Sequence, residues 1–138
     1  MIRYILFGFS SSFVFAIFNA RHLVDGPGPN FLEFILSMIF LLIWGSYGFW
    51  KGRNREVSFN YFTTFFWGLG LIISLVGINM SGPILIICFL FVAPVAGFLY
   101  LLDIYGLPLV FLNTVLPLII SALGYRIGQE VSKKSDTD

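Results

Sequence analysis

Few residues in this chain could do chemistry, and their spacing serves it poorly. His22 and Asp25 lie three positions apart in a loop rich in Pro and Gly, residues 21–30. A proton relay or half of a metal site could use such a pair, but the chain has a single His, and a solvated interfacial loop is the simpler reading. Glu33 stands near the start of an apolar run, where the positive end of a helix dipole accommodates a carboxylate. That position puts it at the headgroup level. Were it buried instead, it would be a proton or cation site, because acids inside a membrane are costly and usually functional. Asp103 occupies a very short turn, at the opposite interface from Glu33 if the chain crosses five times, so the two acids do not form an acid–base pair. Asn113 precedes Pro117 by one helical turn and is placed to bridge to polar groups on a neighbouring helix. Cys88, the only cysteine, permits no intrachain disulfide and no cysteine metal cluster, and reads as an apolar filler. HExxH, GxSxG, P-loop and GxGxxG motifs in a suitable context are all absent. Neither enzymatic activity, a metal nor a cofactor is expected.

The elements that position these residues follow from composition. Of 138 residues, 58% are hydrophobic and 11% charged, against about 45–50% and about 25% in soluble domains. This is the composition of a single all-α domain folded in lipid. A net charge of +1 leaves no electrostatic footprint for nucleic acid.

Five apolar segments are expected, at about 4–20, 31–50, 59–78, 84–102 and 108–125, followed by a polar, disordered tail at 127–138. The first could pass for a signal peptide, but it is long for one and Phe18-Asn19-Ala20 makes a poor cleavage site, so it is expected to be retained. Gly8, Ser12, Ala16 and Ala20 recur every four residues on it, a stripe that lets helix backbones approach closely. Phe7, Val14 and Phe18 project from roughly the opposite side, toward lipid. Residues 57 to 102 carry no charge; as one helix they would be about 69 Å long, so the run must break, at Asn79-Met80-Ser81-Gly82-Pro83. The third segment places Thr63, Gly70, Ser74 and Gly77 on one packing face. In the fourth, Pro94 removes a backbone donor and presses on the Leu90 carbonyl, which predicts a kink.

Gly26-Pro27-Gly28-Pro29 and residues 91–97 resemble segments of holin-like membrane proteins. Their spacing and the extra span depart from that pattern, and no family is assigned on them.

Orientation rests on Lys and Arg, which resist translocation. The 51–57 loop holds three of the eight and marks the cytoplasmic side together with the amino terminus. Five crossings put Tyr4, Tyr47, Trp50, Tyr61, Tyr100 and Tyr105 near one face, as an aromatic belt requires. They also divide the basic residues evenly, four against four. In the alternative, a Pro-broken segment re-enters without crossing; the tail returns to the cytoplasm and the division becomes seven against one.

Function is expected to be non-enzymatic. An accessory or interaction component of a bacterial plasma membrane demands the least unseen chemistry, in contact with the lipid bilayer and with copies of itself or a larger membrane protein. The competing expectation is an oligomeric permeation protein, a channel or small transporter, using the segments broken by Pro94 and Pro117. A cytoplasmic tail would put permeation first.

Overall fold

The computed structural model describes residues 1–19, 30–77, 83–98 and 107–135, with side chains at all of these but 83–86. Four helices are long and apolar enough to cross a membrane: α1 (Ile2–Asn19), α2 (Phe31–Arg53), α3 (Val57–Gly77) and α5 (Leu107–Ser135). Between α3 and α5 lies a shorter helix, α4 (Pro83–Val92), followed by a 3-10 segment, Ala93–Phe98. No strand occurs among the described residues. The fold is an all-α helical bundle.

Each end of the bundle has local causes. Asn30 caps α2 through a capping box: its side chain accepts from the Glu33 N–H at 3.0 Å while the Glu33 carboxylate accepts from its own N–H at 3.2 Å. At the other end α2 stops at Asn54, and Arg55 adopts a left-handed φ of 55° that turns the chain directly into α3. Tyr4 of α1 hydrogen-bonds Glu56 at this same end.

The closest helix pair is α2 with α5. Gly48 lies against the Ser121 carbonyl and Gly52 against that of Tyr125, while Gly124 and Gly128 lie against the carbonyls of Gly45 and Phe49. A Cβ at any of these four glycines would fall 2.0–2.4 Å from a backbone oxygen, so hydrogen at Cα is what permits the approach, as in small-residue seams generally. Residue numbers rise together along both helices, so the pair is parallel. Consequently α5 reaches the Lys51 end of α2 at Tyr125 and continues beyond it to Ser135.

That direction depends on α4 and the 3-10 segment, which do not cross. Descending beside α3, Cys88 Sγ approaches the Ser74 carbonyl at 3.9 Å, and Phe91 then packs over Gly70 and against Phe66 and Trp67. Ten residues of α-helix reach about 15 Å, half of a ~30 Å hydrocarbon core. The chain there reverses. Gly97 donates to Ser37 Oγ at 3.1 Å and lies on the Glu33 carbonyl, and the Phe98 ring meets Phe34 at 5.4 Å. Ser37, Phe34 and Glu33 all belong to the first two turns of α2, so the segment leaves by the end at which it entered.

Of the two arrangements expected, the described helices follow the one with four long helices and one re-entrant element rather than five crossings. The kink expected at Pro94 is a reversal, because the proline supplies no N–H and also drives Ala93 away from α geometry. Pro117, by contrast, sits inside a continuous α5. The tail expected to be disordered from 127 is helical through Ser135, with Glu130 paired to Lys133 at 2.9 Å. Phe7, expected to face lipid, instead packs on Trp44 and Tyr47 with ring centroids 5.1 and 4.0 Å away; Val14 and Phe18 are exposed. Ala20, the 21–29 loop with His22 and Asp25, the break at 79–82, Asp103 and its turn, Tyr100 and Tyr105 lie outside the described residues.

This topology predicts that cysteines placed singly at Asn54 and Ser132, with Cys88 replaced by Ala, react with an impermeant maleimide from the same side of the membrane. Reaction from opposite sides would restore five crossings.

Candidate functional site

Three elements that are distant in sequence meet where the chain reverses. Asn19, at the last turn of α1, donates from Nδ2 to the Pro94 carbonyl at 2.9 Å and to Ser37 Oγ at 3.0 Å. Ser37 Oγ also accepts the Gly97 N–H. Ala93, Val95 and Ala96 are fully buried, as are Asn19 and Ser37. Two polar side chains therefore satisfy the backbone groups that the broken helix leaves open, one carbonyl and one N–H, where lipid offers no partner.

Glu33 stands one turn from Ser37 on the same helix and is 4% exposed. It keeps the first-turn position expected of it but is buried there, with Gly97 of the 3-10 segment against its carbonyl. Pro94 and Glu33 thus belong to one site. Asn19 was not anticipated at all, since an Asn beside Arg21 looks like an ordinary interfacial residue.

Asn113 forms a second polar position. It is fully buried on α5, and neither its Nδ2 nor its Oδ1 has a hydrogen-bond partner among the described residues. Pro117, which has no N–H, also removes the helical donor to the Asn113 backbone carbonyl; that signal was present in the four-residue spacing. Ser121 Oγ donates to the Pro117 carbonyl at 2.5 Å. Asn19 Oδ1, Ser12 Oγ, Ser74 Oγ, Trp44 Nε1 and Trp67 Nε1 are likewise buried without a partner among the described residues, and leaving a buried polar group unmatched costs about 1–3 kcal/mol. Ser12 belongs to the α1 stripe with Gly8 and Ala16, all buried; Gly8 faces the rings of Phe62 and Phe66. Thr63, Gly70, Ser74 and Gly77 are buried on α3.

The two halves of the bundle differ in kind. Asn19, Ser37, Ser74, Asn113 and the re-entrant element occupy the Asn30 half. The Lys51 half is closed by aromatic rings: Tyr4 on Phe59 and Phe62, Tyr47 on Phe59, and Phe59 on Tyr125, at centroid distances of 5.3–6.2 Å. At its rim Lys51 is nearly buried, 2.9 and 3.1 Å from the Glu56 carboxylate oxygens and 4.2 Å from the centre of the Trp50 ring. The hydrogen bond from Tyr4, and then those from Lys51, hold the Glu56 carboxyl below the ordinary carboxylate range. Among the described residues no group of three His, Cys, Asp or Glu could hold a metal ion.

Compared with family models, curated proteins and solved structures, the chain matches none.

Two outcomes follow. Asn19→Ala strips the Pro94 carbonyl of its donor and loosens the reversal by about 1–2 kcal/mol. Cys88, 5% exposed on α4, should then react about tenfold faster with a membrane-permeant maleimide, while the exposed Ser10→Ala leaves the rate alone; equal rates would remove Asn19 from this role. The second concerns pH. Because the folded Glu56 carboxyl titrates below its unfolded value, its stabilising effect is complete above that unfolded value, about 4.3. It is lost as pH falls through the lower folded value. Unfolding in mixed micelles should be level from pH 7 to about 5 and weaken below about 4, with Glu56→Gln flattening the acid limb. An acid limb unchanged in that variant would assign the effect elsewhere.

Proposed function

We propose that the chain is a small permeation protein of a bacterial plasma membrane, multi-pass, acting as an oligomer on a small polar solute or ion. The observation that carries this reading is the re-entrant element: a broken helix that stops about halfway through the bundle, in the half that also holds Asn113, whose buried amide has no partner among the described residues. Transport proteins use such interrupted helices to bring backbone groups and polar side chains to mid-depth. The aromatic layer of the Lys51 half then serves as the barrier of a closed state. Orientation follows from charge. All seven described Lys and Arg residues (Arg3, Lys51, Arg53, Arg55, Arg126, Lys133 and Lys134) belong to the Lys51 end or to the tail that leaves it, which makes that end, the amino terminus and the tail cytoplasmic.

A second reading, a non-enzymatic accessory protein bound to a larger membrane partner, is favoured by the filled interior. Phe40, Trp44, Trp67 and Phe91 are at most 1% exposed and leave one copy without an open path.

Flux of small ions and neutral solutes into liposomes holding the purified protein separates the two. Permeation predicts solute entry above protein-free liposomes, lost on Asn113→Ala and on Pro117→Ala. No flux, with the protein instead recovered from mild detergent in a stable complex with another membrane protein, would replace this reading by the accessory one.

A further inference from the structure

We propose that the cleft between α1 and α2 is a binding site for one anionic phospholipid of the cytoplasmic leaflet. The cleft has a volume of about 450 Å³ and is lined by Phe7 of α1 and by Ile39, Leu42, Ile43, Ser46, Tyr47 and Trp50 of α2. Its polar groups are gathered at one end. Tyr47 and Trp50 stand there in the place where aromatic residues meet headgroups. Arg3 is exposed on α1 one turn before Phe7, on the same side of that helix.

The charges at this end do not cancel alike. Lys51 is neutralised by Glu56, whereas Arg3 forms no ion pair among the described residues. The Arg3 guanidinium thus stands at headgroup level on the α1 side of an apolar trough, and a guanidinium pairs a phosphate through two parallel hydrogen bonds.

Length selects the occupant. From Trp50 to Ile39 the trough extends about 16 Å, half of a ~30 Å core. That is the reach of an acyl chain within one leaflet. A partner helix would need a groove running through the whole thickness.

The test is native mass spectrometry on protein taken from vesicles of equal phosphatidylglycerol and phosphatidylcholine into mild detergent. The wild type should retain one phospholipid per chain, enriched in phosphatidylglycerol about fivefold, the factor expected of one cation at the surface. Arg3→Gln should retain a lipid with that preference abolished, and Arg3→Lys should keep most of it. Ile39→Trp, which fills the trough, should lose the lipid, whereas Leu123→Trp, in the cleft between α2 and α5, should not. An unchanged preference in Arg3→Gln overturns the headgroup assignment, and retention by Ile39→Trp overturns the cleft. Loss of preference in the double variant Lys133→Gln, Lys134→Gln would show general attraction by the tail and overturn the site as well. None of these outcomes depends on whether the protein conducts.

Discussion

A backbone carbonyl or N–H opened inside an apolar bundle must find a partner within the protein, because hydrocarbon supplies none. The fold turns on how that demand is met at Pro94. The proline breaks α4 after Val92, and the chain could have continued as a kinked span or turned back. It turns back because Asn19 and Ser37 receive the Pro94 carbonyl and the Gly97 N–H. From that reversal the rest follows: α5 begins at the Asn30 end, runs parallel to α2, and locks to it through glycines at 45, 48, 52, 124 and 128. The tail emerges beside the amino terminus and the basic residues gather at one end.

The two ends then carry different kinds of interaction. At the Lys51 end, aromatic rings pack on one another and around a paired cation, a combination of apolar burial and cation–π attraction. Lys51 and Tyr4 both find the Glu56 carboxylate there. In the other half, polar groups are buried at a cost that the protein recovers only in part. A stable bundle has no need of Asn113 where it stands; its unmatched amide is the kind of local conflict that tends to accompany function. The two halves thus differ in what holds them: packed rings and a paired cation at one end, buried polar groups at the other.

Much of this was legible by residue type. The stripe Gly8, Ser12, Ala16 and the face Thr63, Gly70, Ser74, Gly77 both turn inward, since small residues at helical spacing serve close approach in lipid whatever their neighbours. The glycines of α2 and α5 carry the same signal at spacings of three and four, and could have been found by it. Asn19 could not: its partners are 18 and 75 residues away, and no local pattern announces them. Glu33 was recognisable as a first-turn acid that suits a helix dipole. Its burial was not, because the segment that covers it arrives from residue 97.

What the amino-acid sequence determined alone is the apolar, helical character of the fold, the position of most helices and the interruption at Pro94, because composition, periodicity and missing N–H groups act locally. Only the tertiary structure decided that Pro94 reverses the chain while Pro117 sits within a continuous helix. Both prolines remove the same hydrogen bond. The difference lies in what surrounds each, an Asn and a Ser from other helices at Pro94 and, at Pro117, the helix's own continuation with Ser121 on its carbonyl, and such surroundings exist only once the helices have packed.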